Sequence, residues 1–94
     1  MAGAPYCVIK DVRFPEGLRW HEGGLWFSDI AANRVYRYDP ATDELAVVAE
    51  LPSPSGLGFG GDRAYVVSLG YDLLYGIDLA VPSWLSVGSA FRSL

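Results

Sequence analysis

The sequence predicts an all-β protein made of two copies of one four-stranded antiparallel unit. In the first copy, residues 18–20, 25–28 and 34–38 form short runs rich in aromatic and β-branched residues. Gly, Asn, Asp and Pro fill the breaks between these runs, which is the pattern of strands joined by tight turns. A further apolar run at residues 45–49 follows the Asp39-Pro40 turn and is the fourth predicted strand.

A second copy of this unit begins 39 residues after the first. At that offset the identical pairs include Pro15 with Pro54, Gly17 with Gly56, Leu18 with Leu57, Tyr36 with Tyr75 and Asp39 with Asp78. Aromatic character is also kept where Trp20 meets Phe59 and where Trp26 meets Tyr65. A period of about 40 residues with four strands per unit is typical of the blades of a β-propeller. The alternative is an ordinary meander with chance similarity, and the coincidence of matches at turns and strand ends disfavours it.

Composition and charge limit the partners of this chain. Its 94 residues have room for one small domain, and 51% of them are hydrophobic, which is enough for a packed core. The formal net charge of −4 gives no basic stripe for nucleic acid and no polybasic surface for a membrane. We therefore expect neither nucleic acid nor membrane as a partner.

The N-terminal residues and the cysteine content predict a cytoplasmic protein. Cys7 is the only cysteine, so no internal disulfide can form, and it is expected to be a small buried hydrophobe. The first ten residues lack the basic and apolar segments of a signal peptide. No apolar run approaches the length of about 20 residues that spans a bilayer.

The repeat divides the chain into three parts. Residues 1–13 contain a predicted leading strand at residues 6–12, residues 14–52 form blade 1, and residues 53–94 form blade 2. The pattern fades after Asp78, where residues 81–87 are a poor fourth strand followed by an atypical tail. Because propellers close with about four to eight blades, two blades predict either a truncated piece of a longer protein or one part of a ring of several chains.

Glu16 is the candidate functional residue, because the repeat pattern predicts that it lies at the centre of the propeller. It lies between Pro15 and Gly17 at the mouth of the innermost strand, where the central channel of a propeller would be. A carboxylate there is either solvated or coordinates a ligand.

Other chemistry-bearing residues are expected to be structural. His21 lies in a predicted turn and is expected to be exposed, and Ser28 and Asp29 end a strand, where such groups cap a neighbouring turn. Residues 56–61 match the letters G-x-G-x-x-G, but a Pro/Ser linker precedes them and a strand follows. A dinucleotide site needs a strand before and a helix after, so these are turn glycines of a hairpin.

Four segments taken in order, FPEGLRW, LWFSDI, RVYRYDPAT and PSGLGF, resemble the opening of the gluconolactonase / senescence marker protein / luciferin-regenerating-enzyme-like family. The resemblance implies a six-bladed propeller with one divalent metal in its central channel and, in many members, hydrolysis of sugar or other lactones. It also implies that Glu16 is a metal ligand, since the Glu of the opening motif has that role. Calcium suits a hard carboxylate oxygen best, with zinc or magnesium as alternatives.

The departures from the family pattern bear on activity. Leu18 stands where Pro is usual, and Asp43 stands where Gly is usual. The remaining family ligands, an Asn and an Asp, and the substrate-contacting residues belong to later blades. We therefore expect a fragment of a metal-dependent lactonase-like hydrolase that is inactive as a lone chain. The alternative is a non-catalytic propeller fragment or a self-assembling scaffold, in which a homo-oligomer closes the propeller.

Overall fold

The computed structural model describes residues 3–80 and 91–93, and this part of the chain forms eight strands in two antiparallel sheets. Blade 1 contains, in spatial order, β1 (Pro15–His21), β2 (Gly24–Asp29), β3 (Arg34–Asp39) and β4 (Glu44–Glu50). Blade 2 contains, also in order, β5 (Pro54–Gly60), β6 (Arg63–Ser68), β7 (Leu73–Asp78) and β8 (Phe91–Ser93). The fourth strand that the sequence predicts at residues 81–87 lies outside the described residues.

The 39-residue repeat is present in the backbone itself. Strands β5, β6 and β7 begin and end 39 residues after β1, β2 and β3. The register of β1 on β2 shifts between Glu16 and Arg19, and that of β5 on β6 shifts between Pro54 and Leu57. The innermost strand of each blade thus carries an irregularity at the same place. Two four-stranded meanders of this kind confirm the predicted all-β propeller segment.

The two blades pack face to face around one apolar core. We call the face of a blade that points to the following blade in the chain its front face, and the opposite face its back face. The core joins the front face of blade 1 to the back face of blade 2 and includes Trp26, Val35, Val48, Leu57, Val66 and Ile77. The indole of Trp26 meets the Phe59 ring edge to face, with centroids 5.1 Å apart. The hydroxyl of Ser28 donates across the same junction to the Ser55 carbonyl at 2.7 Å.

The linker between the blades is held by the β2–β3 turn. Asn33 has a left-handed backbone with φ of 59°. Its backbone carbonyl accepts from the Leu51 amide at 3.1 Å, and its side-chain Oδ1 accepts from the Ser53 amide at 2.9 Å. One turn residue therefore satisfies two backbone donors at the point where the chain passes from blade 1 to blade 2.

The predicted leading strand at residues 6–12 is wrong. This part of the chain has no strand, and it crosses the back face of blade 1 as an irregular segment. Cys7 and Val8 share a groove with Leu25 and Tyr38 on that face. The apolar residues of the segment thus pack on a sheet surface, and none of the described strands pairs with it. We call residues 3–13 the N-terminal segment.

Among residues 3–80 and 91–93 there is no helix with the length and apolar character needed to cross a lipid bilayer.

Candidate functional site

Glu16 is the second residue of β1 and pairs with Ser28 of β2 in the backbone ladder. Its side chain is exposed. Within the described part of the chain, no hydrogen bond or ion pair engages its carboxylate. Both oxygens are therefore free to accept bonds from water or to bind a cation.

Gly17 fixes the backbone beside Glu16. It has φ of 70°, in the left-handed region that glycine adopts without a steric cost. A Cβ at this position would lie 2.9 Å from the Ser55 carbonyl oxygen, a backbone atom that cannot swing away. The start of β1 is thus pressed against the start of β5, and Glu16 stands next to the junction between the two blades.

Asp29, at the end of β2, has a buried carboxylate, and both of its oxygens are engaged by backbone amides. It accepts hydrogen bonds from the amides of Arg13 at 2.8 Å, Phe14 at 3.0 Å and Ala32 at 3.1 Å. Burial alone would raise the pKa of Asp29, but these bonds and one from the Ala31 amide outweigh it and lower the pKa below its ordinary value. Asp29 therefore caps the β2–β3 turn, as the sequence predicts, and also ties the N-terminal segment to blade 1.

An apolar hollow of about 340 Å³ opens beside Glu16. It lies between the N-terminal segment and the back face of blade 1, and besides Glu16 it is lined by Ile9, Val12, Pro15, Gly17, Leu18 and Phe27. Among the described residues that line it, Glu16 alone carries a charged side chain. The hollow can therefore take apolar atoms, whereas it offers a cation a single ligand.

The arrangement does not amount to a complete metal site. In the described residues, no group of three or more His, Cys, Asp or Glu side chains comes close enough to hold an ion. Calcium takes six to eight oxygen ligands, and zinc usually takes four ligands. The sequence-predicted ligand Glu16 is thus available, but within the described residues it does not belong to a group of three or more such side chains.

The structure corrects the prediction for His21. The sequence places it in an exposed turn, whereas it ends β1 and is half-buried between the blades. Its imidazole stacks on the Phe59 ring with centroids 3.9 Å apart and planes 10° from parallel, and it meets Trp26 edge to face at 6.2 Å. The contact joins residues of different blades, so local turn chemistry gives no sign of it.

The prediction for Cys7 is wrong, and the prediction for the glycine-rich run is confirmed. Cys7, predicted to be buried, is exposed on the N-terminal segment. The glycine-rich run at residues 56–61 lies in β5 and in the turn to β6, which confirms that it is part of a hairpin.

Comparison with known proteins connects this geometry to one family. The sequence profile of the SMP-30/Gluconolactonase/LRE-like region matches residues 14–87, which include blade 1, strands β5 to β7 of blade 2 and the Glu16–Gly17 pair. No curated protein and no solved structure matches the chain significantly. The profile covers well over half of the sequence and agrees with the resemblance noted from its motifs. The chain therefore belongs to the SMP-30/gluconolactonase/LRE-like family.

Proposed function

We propose that this chain is part of a metal-dependent lactonase-like hydrolase and that Glu16 is the ligand it contributes to the metal. The observation that carries the proposal is the free carboxylate of Glu16, held at the start of the innermost strand by the Gly17–Ser55 approach in a chain that belongs to this family. Small-molecule lactones are the proposed substrate class. We propose the cytoplasm as its compartment, since one cysteine gives no sign of an oxidising one.

Calcium is the metal we propose first, with zinc and magnesium as alternatives. A carboxylate oxygen is a hard ligand, which is the type that calcium and magnesium take in proteins. Because the described residues hold no group of three or more acidic, histidine or cysteine side chains, we propose that residues outside this part of the chain complete the metal site. We expect the chain by itself to be inactive.

Metal titration with a matched pair of variants tests the proposal. Calorimetric titration of the full chain with calcium, zinc and magnesium should give weak binding, which Glu16→Gln abolishes. Glu44→Gln is the control, because Glu44 is an exposed carboxylate at the start of β4. Equal binding by the parent and Glu16→Gln would contradict the role of Glu16.

Lactone hydrolysis is measured separately in a pH-stat, with and without metal. We expect no metal-dependent turnover from the chain alone. Turnover that Glu16→Gln leaves unchanged would place the chemistry elsewhere and overturn the proposal.

A non-catalytic propeller piece that assembles with itself is the second candidate function. The absence of a three-ligand group from the described residues favours it, since this part of the chain forms a sheet scaffold without a completed reaction centre. Under this alternative Glu16 is vestigial, and Glu16→Gln changes neither metal binding nor assembly.

A further inference from the structure

The two blades are equivalent in backbone path, but their faces differ in exposure. Leu57 on the back face of blade 2 is 5% exposed, whereas its repeat equivalent Leu18 on blade 1 is 59% exposed. Phe59 packs on Trp26 and His21, whereas its equivalent Trp20 is 62% exposed. The back face of blade 1 therefore keeps the residue types of a blade interface but lacks a blade against it.

The front face of blade 2 has the complementary property. Val67 and Leu74 form a directly opposed pair on β6 and β7, and they are 44% and 42% exposed. Leu74 is the repeat equivalent of Val35, which is fully buried in the core between the blades. Beside this pair lies Tyr65, the equivalent of Trp26. An aromatic and two aliphatic side chains thus stand where blade 1 has the residues that receive blade 2.

We propose that the front face of blade 2 receives the back face of blade 1 from a second copy of this chain, and that the N-terminal segment caps the latter face. The interface between blades 1 and 2 is the template. Leu18 and Trp20 of the second copy would take the places of Leu57 and Phe59, against Tyr65 and Leu74 in place of Trp26 and Val35. The two surfaces differ from each other, so the association is head-to-tail rather than two-fold symmetric.

The cap follows from where the N-terminal segment lies. Ile9 and Val12 line the apolar hollow with Phe27, on the back face of blade 1. The repeat equivalent of Phe27 is Val66, which is fully buried in the core formed with blade 1. The segment therefore covers on blade 1 the area that a neighbouring blade covers on blade 2. It and a second copy cannot occupy that area together.

The segment can leave this face without disturbing the sheets. Its residues form no strand with β1 or β4, and its end is tied to the blade by the bonds from Arg13 and Phe14 to Asp29. Residues 3–12 can detach while that tie remains. The proposed association rests on the second candidate function, self-assembly of a propeller piece. It names the two faces that would meet and the N-terminal segment that would block one of them, and it does not depend on lactone hydrolysis.

The test compares the solution mass of full-length variants by sedimentation velocity over a range of concentrations. Ile9→Asp/Val12→Asp places charges under the segment and should release it. We expect this uncapped variant to associate at a concentration about tenfold lower than the parent. Adding Leu74→Asp should reverse the effect, whereas Tyr71→Asp, which alters an exposed residue of the β6–β7 turn, should not.

A mixing experiment distinguishes head-to-tail from symmetric association. In the uncapped background, Trp20→Asp removes the back face and Leu74→Asp removes the front face. Each variant alone should stay monomeric, and a mixture should form a 1:1 complex and nothing larger. Circular dichroism checks that each variant is folded, and Ile9→Ser/Val12→Ser replaces the uncapped pair if the aspartates unfold it.

Three results would overturn the inference. The first is a folded uncapped variant that associates no more than the parent. The second is association that Leu74→Asp leaves unchanged. The third is self-association of Trp20→Asp alone, since that would require two like faces.

Discussion

Trp26 of blade 1 and Phe59 of blade 2 meet edge to face with their ring centroids 5.1 Å apart, and this contact lies at the junction of the two sheets. His21 stacks on the same Phe59 ring with centroids 3.9 Å apart, and it also meets Trp26 edge to face. The three rings join the end of β1, the middle of β2 and the end of β5. Aromatic pairs of this geometry add about 0.5–1.5 kcal/mol to the burial of their area.

Phe59→Ala should therefore destabilise the chain by about 2 kcal/mol or more, through loss of ring burial and of both aromatic contacts. Trp20→Ala changes the repeat-equivalent position and should cost less than about 1 kcal/mol, because Trp20 is exposed. Urea unfolding of both variants at a concentration where the chain is monomeric measures the difference. Equal losses would show that Phe59 does not join the blades.

Gly17→Ala tests the close approach between the starts of β1 and β5. The left-handed φ costs an alanine about 1 kcal/mol, and the contact with the Ser55 carbonyl adds to it. We expect a loss of about 2 kcal/mol or more in the free energy of unfolding. Gly23→Ala is the control, because Gly23 has φ of 75° but nothing within 4 Å of its Cβ position. If both substitutions cost the same, the approach to Ser55 contributes nothing.

Asp29 should make stability depend on acid pH. Its folded-state pKa lies below the ordinary value of 3.8, so its stabilisation is present above that value and is lost as the pH falls through the folded-state pKa. Asp29→Asn removes this titration and leaves an amide group facing backbone N–H donors, at a cost of about 2 kcal/mol near neutral pH.

The measurement is thermal unfolding of Asp29→Asn and the parent between pH 7 and pH 2. The gap between the two should narrow below about pH 4. Asp62→Asn, a change at an exposed turn carboxylate, should follow the parent throughout. A gap that stays constant down to pH 2 would contradict the assigned role of Asp29.

Asn33 offers a way to separate backbone conformation from side-chain bonding in the linker. Asn33→Gly keeps the left-handed turn but loses the bond from the Ser53 amide, and should cost about 1 kcal/mol. Asn33→Ala loses that bond and also strains the turn, and should cost about 2 kcal/mol. Denaturant unfolding of both variants provides the comparison, and an alanine variant as stable as the glycine variant would contradict it.

The repeat made most of the fold predictable. Identical residues at strand ends, such as Pro15 and Pro54 or Asp39 and Asp78, determined the strand boundaries in both blades. The doubly apolar run in β2 indicated a strand covered on both faces, and Trp26 and Phe27 are indeed buried on opposite sides. These signals are local in sequence and occur in both repeats, so they can be recognised without knowledge of the tertiary structure.

Features that depend on contacts distant in sequence were not predictable. Val8 and Ile9 have the composition of a strand, but strand formation needs a partner edge, and the structure instead lays them across a sheet face. His21 looks like a turn residue until Phe59, 38 residues away, is brought against it. In the candidate site, the opening motif is the sequence feature that makes Glu16 a ligand candidate. The hydrogen bonds from the Arg13 and Phe14 amides to Asp29 have no sequence signal beyond the position of Asp29 at a strand end.

Asp29 and Ser68 occupy equivalent positions in the two repeats, but one side chain is a hydrogen-bond acceptor and the other acts as a donor. Asp29 accepts from the Arg13 amide, whereas the Ser68 hydroxyl donates to the carbonyl of Pro52, the residue equivalent to Arg13. Proline has no N–H to offer, so an acceptor would find no partner there. Anyone exchanging these modules should therefore transfer the strand-end residue together with its preceding connector, because an aspartate at position 68 would face a carbonyl where Asp29 has an amide donor.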